Sequence, residues 1–221
     1  MGVVQILEQY AAGLLHGVAV TLELAILVWI VGIVIGSALG VAQARLPVGI
    51  GWITRAVAFV LTSVPTIVLL FWFHYPAQTL IGVQLNPFIT SAFTLGLVNI
   101  FAVAEIIRPA LVSFPSGLIA TGKVAGLSRR QILWKIEFPL IVRNVIPALL
   151  TLQVVMLQAT IFASLISLDE IFRIAQRINA QVYRPVQVYS VLAIFFLALC
   201  LPLNAVAAIL QRRFRQKLAI D

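Results

Sequence analysis

Apolar residues occur along this chain in long blocks that carry almost no charge. Val18–Ala44 contains only Glu23, and Ala56–Ala104, Asn144–Leu168 and Pro185–Gln211 contain no Asp, Glu, Lys or Arg. A membrane-spanning helix needs roughly 20 apolar residues. The run from Ala56 to Ala104 is more than twice that length, so it is long enough for two helices.

The middle of that run supplies a turn. It contains His74-Tyr75-Pro76-Ala77-Gln78 and then Gln84-Leu85-Asn86-Pro87, which are rich in residues that interrupt helices. The pattern therefore predicts an all-α integral membrane protein with five transmembrane helices, near 18–42, 53–74, 88–112, 143–167 and 186–210. No linker or repeat divides the sequence, and residues 1–221 are predicted to form a single transmembrane domain.

Composition agrees with this class. The chain is 62% hydrophobic and only 10% charged, which excludes an ordinary soluble domain. Its net charge of +8 would suggest nucleic acid in a soluble protein, but here topology explains it. The single cysteine, Cys200, allows no intrachain disulfide, and the first 17 residues lack Lys and Arg, so no cleaved signal peptide is expected.

The distribution of Lys and Arg predicts the orientation. With five spans and an external N-terminus, twelve basic residues lie in the cytoplasm and three lie outside. The three are Arg173, Arg177 and Arg184. Cytoplasmic loops of membrane proteins carry the excess of Lys and Arg. The N-terminus is therefore predicted outside and the C-terminus in the cytoplasm.

A polar island, Gly117 to Pro139, interrupts the apolar sequence within a predicted cytoplasmic loop at about 113–142. Gly122 and Gly126 allow the backbone to bend or to approach a partner closely. Ser128 is a suitable N-cap for a helix from Arg129 to Phe138, which Pro139 would end or kink. A short helix with exposed basic residues fits a cleft on a soluble partner, or alternatively rests on anionic lipid headgroups.

The spacing within the island resembles a known motif. Gly126 is followed after nine residues by Ile136-Glu137-Phe138-Pro139, as in the coupling (EAA) loop of permease subunits of ATP-binding-cassette importers. In that family the loop helix docks on the ATPase subunit. The resemblance implies that the ATPase contact here is made by Gly122, Lys123, Gly126, Leu127, Ser128, Ile136 and Pro139.

The resemblance continues in order over nearly the whole chain. Four segments are similar to polar amino acid permeases: Gly13 to Ala25, Ser63-Val-Pro-Thr66, Ala104 to Arg108 and Phe114 to Gly117. Asp169 to Pro185 is most similar to permeases for histidine, lysine, arginine, ornithine or opines. The resemblance implies a type I importer permease fold in a bacterial inner membrane and import of a polar amino acid or derivative by alternating access. Glu105, inside the third span, predicts that this substrate is cationic. The resemblance also implies two ATPase subunits, which would use ATP and magnesium, a second permease subunit, an extracytoplasmic binding protein and surrounding lipid, with no nucleic acid.

The chain departs from the family pattern at three places. Ala120-Thr121-Gly122 stands where the loop usually reads Glu-Ala-Ala, and Gln158-Ala159-Thr160-Ile161 stands where many relatives read Lys-Asp-Thr-Ser. Thr62 and Leu69 replace an Arg and a Gln often found around the second span's proline. These departures make the membrane interior less charged and indicate either a different substrate or a subunit that contributes only half of a pathway. Because this chain lacks the loop Glu and the Lys-Asp pair, the second permease is predicted to be a different polypeptide that carries a fuller set.

No enzymatic site is predicted. Gly117 to Val124 matches G-x-x-x-x-G-K, but Val124 replaces the magnesium-binding Ser or Thr and no β-strand precedes it. The sequence has no His/Cys metal cluster and no nucleophile–base pair, so ATP hydrolysis is assigned to partner subunits and no cofactor to this chain.

Polar residues inside membrane spans are costly and are candidates for the substrate pathway. They are Glu105, Asn99, Thr160, Gln158 and Ser164. Each has a structural alternative: Glu105 can pair with Arg108 one turn away, and hydroxyl groups in membrane helices often bond to their own backbone.

Two further patterns carry expectations. Gly32, Gly36 and Gly40 share one helix face and predict close packing against another helix. The segment from Asp169 to Arg184 is amphipathic and predicts a surface helix, a gate or a docking surface for a binding protein. Two alternatives to amino acid import remain open: a permease for another small solute such as an opine, and a helical membrane scaffold with a lipid-binding basic loop.

Overall fold

A computed structural model describes residues 2–218, and the side chains at these positions except 50 and 214–218. The regular secondary structure of the described residues is all helical. The helices are α1 (Val3–Gln9), α2 (Ala11–Arg45), α3 (Ile50–Ser63), α4 (Thr66–His74), α5 (Pro76–Ile81), α6 (Pro87–Val112), α7 (Ser116–Val124), α8 (Arg129–Ile132), α9 (Phe138–Ala159), α10 (Ile171–Val182) and α11 (Pro185–Leu218). A π-helical turn, Leu133–Glu137, joins α8 to α9, and a 3₁₀ helix, Thr160–Ile166, follows α9.

Four helical segments are long and apolar enough to cross a membrane: Ala11–Arg45, Pro87–Val112, Arg129–Ile166 and Pro185–Arg213. A fifth candidate is the bent pair Gly51–Ser63 and Thr66–Ile81. The structure thus confirms an all-helical membrane protein with four or five candidate spans.

The second predicted span, 53–74, is not one straight helix. Its two parts, α3 and the α4–α5 segment, meet at 98°. Pro65 has no backbone N–H to donate, and it restricts the preceding residue to extended backbone. Val64 accordingly adopts φ −100° and ψ 129°. The five-span prediction placed Pro65 inside a span and did not include this break.

The loop helix and the fourth predicted span, 143–167, form one continuous helix, Arg129–Ile166. Pro139 therefore does not end the loop helix. The π-helical turn absorbs the proline, since the N–H of Phe138 bonds to the carbonyl of Leu133 five residues earlier. This wider turn accommodates the residue that cannot bond four residues back.

The glycine series on α2 packs directly on α6, as predicted. A Cβ at Gly36 would lie 2.6 Å from the carbonyl oxygen of Ile100, and one at Gly40 would lie 2.7 Å from Ile107 Cβ. A Cβ at Gly32 would overlap the side-chain amide of Asn99. Small residues allow the two backbones to approach this closely.

Helix α10 packs at the end of the molecule opposite the loop. Its buried residues Ile171, Ala175 and Ile178 join a cluster with α1, α2 and α11. The backbone at Ile171 lies so close to α2 that a Cβ at Gly17 would be 2.9 Å from its Cα. The predicted amphipathic helix is therefore present, with its apolar face buried against the transmembrane helices.

Candidate functional site

The polar island folds as a hairpin of α7 and α8, here called the loop hairpin (residues 116–137). Gly122 is buried where the two helices cross, and a Cβ there would lie 3.1 Å from both Ile132 Cγ1 and Ile136 Cδ1. A glycine at this position therefore permits close packing. Gly122 and Ile136, both predicted to act in coupling, contact each other inside the hairpin.

The turn of the hairpin depends on Gly126 and Ser128. Gly126 has φ +76°, a conformation that favours glycine, and the space beside it is open. Ser128 caps α8: its hydroxyl accepts the Gln131 N–H at 3.3 Å, and Gln131 Oε1 accepts the Ser128 N–H at 2.8 Å. This reciprocal capping box confirms the predicted helix start.

The outer surface of the loop hairpin combines exposed apolar and basic side chains. Val124 is 90% exposed and Trp134 is 58% exposed. Lys123, Arg129 and Arg130 are exposed beside them. Leu127 and Pro139, the remaining predicted coupling residues, are half-buried.

A cavity of about 1170 Å³ separates the loop hairpin from the ends of α2 and α6. Arg45 on α2 and Ile107 on α6 line one side, and Lys123, Arg129 and Glu137 line the other. Because of this gap, the hairpin is joined to the rest of the molecule chiefly through α9.

The nucleotide-motif match does not form a phosphate-binding loop. Gly117 to Val124 lies inside α7, so the segment is helical where a nucleotide site requires a loop between a strand and a helix. Within the described residues, no group of three His, Cys, Asp or Glu side chains could hold a metal ion.

Asn99 lies at the centre of a buried network between α2, α6 and α9. Its Nδ2 donates to the Val28 carbonyl and to Gln153 Oε1, both at 2.9 Å. Gln153 Nε2 returns a bond to Asn99 Oδ1 at 3.3 Å, and Trp29 Nε1 donates to the Gln153 carbonyl at 2.9 Å. Sequence reasoning missed Gln153, although a glutamine in the middle of a charge-free span is itself a signal.

Glu105 and Arg108 form the ion pair considered as the structural alternative. Arg108 donates to Glu105 Oε2 at 3.0 Å, and the Glu105 side chain is 38% exposed. Among the described residues, its second oxygen, Oε1, has no hydrogen-bond partner.

Thr160 and Ser164 lie in the 3₁₀ helix and are fully buried. Each hydroxyl donates to a backbone carbonyl three residues earlier, Thr160 to Leu157 at 2.7 Å and Ser164 to Ile161 at 2.8 Å. Gln158, in contrast, is exposed at the end of α9. Of these three predicted pathway residues, only Gln158 presents accessible surface.

Sequence reasoning missed a buried carboxylate at the far end of the molecule. Glu170 is fully buried and caps α10, accepting the N–H groups of Phe172 at 2.9 Å and Arg173 at 2.8 Å. Burial raises the pKa of Glu170 to about 7, although the two backbone donors oppose that shift. The N–H of Ile171, the first residue of α10, donates to Thr21 Oγ1 at 3.1 Å and so links α10 to α2.

A family model matches residues 32–216. Its members are inner membrane components of binding-protein-dependent transport systems. This chain belongs to that family. It is therefore a multi-pass inner membrane permease component of an ATP-driven transport system and is not itself the ATPase.

Two relatives match nearly the whole length. The chain is 28% identical over 207 residues to the glutamine transport system permease protein GlnP of Escherichia coli K12, covering 91% of this chain and 93% of that protein. It is 26% identical over 219 residues to the histidine/lysine/arginine/ornithine permease protein HisQ of the same strain, covering 93% and 94%.

A solved structure supports the fold. The permease resembles a chain from a crystal structure of an amino acid ABC transporter with histidines, with a TM-score of 0.81 at 22% identity. The match covers 94% of this chain and 96% of that chain. At this identity the comparison establishes the importer permease fold, and substrate has to be argued separately.

Proposed function

We propose that this chain is the transmembrane subunit of an importer for a polar amino acid or a close derivative. The similarity to the glutamine and the histidine/lysine/arginine/ornithine permeases supports this substrate class. The observation that carries the transport role is the continuous helix Arg129–Ile166, which begins in the loop hairpin and reaches the polar residue Gln158.

The continuous helix provides a mechanical link. At 1.5 Å per residue, its 38 residues span roughly 57 Å. When partner ATPases bind ATP and magnesium and close, they move the loop hairpin. The helix transmits that movement along α9 to Gln158, while the cavity of about 1170 Å³ beside the hairpin leaves room for it. The result is a change in the side from which the pathway is open.

The orientation in this proposal has the N-terminus outside and the loop hairpin in the cytoplasm. Twelve of the fifteen Lys and Arg residues then lie inside. An impermeant thiol reagent applied to intact cells tests it, using single-cysteine variants. A cysteine at Lys123 should be protected and a cysteine at Arg184 should react, and the reverse pattern would overturn the orientation.

The proposed assembly contains two ATPase subunits, a second and different permease, an extracytoplasmic binding protein and surrounding lipid. The partner permease is expected to differ because Ala120 and Gln158 replace charged residues that a self-sufficient homodimer would use. Purification of the complex tests this proposal. An active complex containing two copies of this chain and no other permease would refute it.

Within the proposed pathway, Gln158 is the accessible group. Asn99, Thr160 and Ser164 are fully buried and hydrogen-bonded to protein, an arrangement that favours roles in helix packing. Glu105 is partly exposed but paired with Arg108, which favours a structural ion pair near the end of α6.

The decisive experiment substitutes the turn of the loop hairpin. Gly126→Asp adds a side chain at φ +76° on the surface proposed to contact the ATPase. It should spare membrane insertion and abolish substrate-stimulated ATP hydrolysis. Gly82→Asp is the matched control, because Gly82 has φ +69° and equally open surroundings at the turn before α6. Normal coupling in Gly126→Asp, or equal loss in both variants, would contradict the assignment.

Two rivals have their own tests. A scaffold with a lipid-binding loop would purify without an ATPase, whereas the proposed subunit copurifies with one. A permease for an opine would leave the coupling results unchanged, and an uptake screen with the associated binding protein would show the difference.

A further inference from the structure

Helix α9 presents one continuous exposed stripe over its membrane-spanning part. From residue 144 to residue 158, the exposed positions are Asn144, Ala148, Thr151, Val155 and Gln158. The spacing alternates between four and three residues, so these positions lie on one helix face. The other positions between 144 and 158 are buried or half-buried. The stripe is thus a defined surface, three of whose five residues are polar.

An exposed face of α2 at the same depth has a different composition. The two helices are level here because Asn99 bonds to both Val28 and Gln153. Between residues 26 and 35 of α2 the exposed residues are all aliphatic, namely Ile26, Leu27, Ile30, Ile33, Val34 and Ile35, and the exposed Glu23 lies one turn nearer the N-terminus. Such a face suits lipid acyl chains.

The α9 stripe does not suit lipid. It covers 15 residues, or about 21 Å along the helix axis, and its side-chain amides would lose hydrogen bonds to water if lipid covered them. The Thr151 hydroxyl donates to the Pro147 carbonyl at 3.0 Å, which leaves its oxygen able to accept a further bond. Polar side chains at this depth face the bundle interior or a water-filled cavity. Asn204 on α11 extends the polar surface: it is exposed one turn beyond Cys200, whose thiol contacts Gln158.

We propose that the α9 stripe, with Asn204, is this chain's wall of the substrate pathway, and that it recognises amino acids only by uncharged hydrogen bonds. The inference rests on the proposed transport function. Side-chain amides donate to a carboxylate, and amide and hydroxyl oxygens accept from an ammonium group, so they fit the main-chain groups that all amino acids share. The stripe carries no charge, and Arg143 lies beyond its end nearest the loop hairpin. Selection by side-chain charge therefore belongs to the partner permease or the binding protein.

Thiol accessibility tests the position of the wall. The starting protein is the complete importer in proteoliposomes with Cys200→Ala, which removes the chain's single cysteine. Thr151→Cys should react with an impermeant methanethiosulfonate at least about tenfold faster than the control Ile30→Cys, because thiols react as thiolates, which form in water. Substrate should slow labelling of the Thr151→Cys variant only. Equal, slow labelling of both variants would refute the assignment of the α9 stripe to the substrate pathway.

Substrate competition tests its uncharged character. Thr151→Ala should reduce uptake of neutral and cationic amino acids by the same factor, and Gln158→Glu should shift the preference towards cationic ones. If Thr151→Ala reduces uptake of only the neutral or only the cationic amino acids, the stripe does not recognise the main-chain groups that all amino acids share. The two levels of the proposal fail separately. If the unsubstituted importer shows no ATP-driven uptake of an amino acid, the proposed function is wrong, whereas a transporting Cys200→Ala parent with an unreactive Thr151→Cys variant refutes only the assignment of the stripe to the pathway.

Discussion

Adding a single methyl group at Gly32 tests the packing between α2 and α6, because Gly32 lies directly against Asn99. A Cβ at Gly32 would lie 2.8 Å from Asn99 Cβ and overlap its amide group. That amide holds bonds to the Val28 carbonyl and to Gln153 across three helices. Gly32→Ala therefore has to separate the helices or displace the amide.

The cost can be bounded from these contacts. Overpacking a close contact costs about 1–3 kcal/mol, and leaving one buried amide group unpaired costs about 1–3 kcal/mol. Alanine gains about 1 kcal/mol over glycine as a helix former. The net expected loss in the free energy of unfolding is thus about 1–5 kcal/mol.

The assay is unfolding of the purified complex by titration with a denaturing detergent. Gly96→Ala is the matched control, since a Cβ at Gly96 on the facing helix would meet only Val31 Cγ1 at 3.7 Å. It should be neutral or slightly stabilising. Adding Asn99→Ala to Gly32→Ala should recover part of the loss. If Gly32→Ala proves as stable as Gly96→Ala, the packing argument is refuted.

Three further predictions concern the cap, the loop and the ion pair. The pKa of Glu170 is raised from 4.5 to about 7, so its contribution to the free energy of unfolding is complete below pH 4.5 and falls by roughly 3 kcal/mol up to pH 7. Glu170→Gln should therefore remove this pH dependence from the thermal unfolding midpoint. If the midpoints of the variant depend on pH as those of the parent do, the pKa shift is refuted. Ser128→Ala should destabilise the start of α8 by about 1 kcal/mol and lower substrate-stimulated ATP hydrolysis while leaving membrane insertion intact. Normal ATP hydrolysis in this variant would contradict a role of the cap in coupling. Glu105→Gln should reduce uptake of neutral and cationic amino acids equally, because the carboxylate is paired with Arg108, and a selective loss of cationic uptake would show instead a substrate contact.

Hydrophobic runs and glycine spacing were sufficient to predict the helical membrane fold, and the residues themselves explain why. Gly32, Gly36 and Gly40 recur at helical spacing, and this face packs on α6. Ser128 with Gln131 is a local cap that requires no tertiary information. These features depend on residues that are close together in the sequence, so they can be predicted from the sequence alone.

Other features depend on tertiary contacts. Pro65 and Pro139 both interrupt backbone hydrogen bonding, yet one breaks a span by 98° and the other is absorbed in a continuous helix. At Pro139 the preceding N–H, of Phe138, bonds to the Leu133 carbonyl and the helix continues, whereas Val64 before Pro65 adopts extended backbone and the helix ends. Asn99 was expected in the pathway from its depth alone, but its partners Val28 and Gln153 are 71 and 54 residues away.

The most direct measurement of the central claim is uptake by proteoliposomes that contain this chain, its partner permease and the ATPase subunits, with binding protein outside. The account predicts accumulation of a radiolabelled polar amino acid that requires ATP inside the vesicles and is lost with Gly126→Asp but retained with Gly82→Asp. A complete complex that hydrolyses ATP yet accumulates no amino acid or close derivative would contradict it, as would uptake that proceeds equally without ATP.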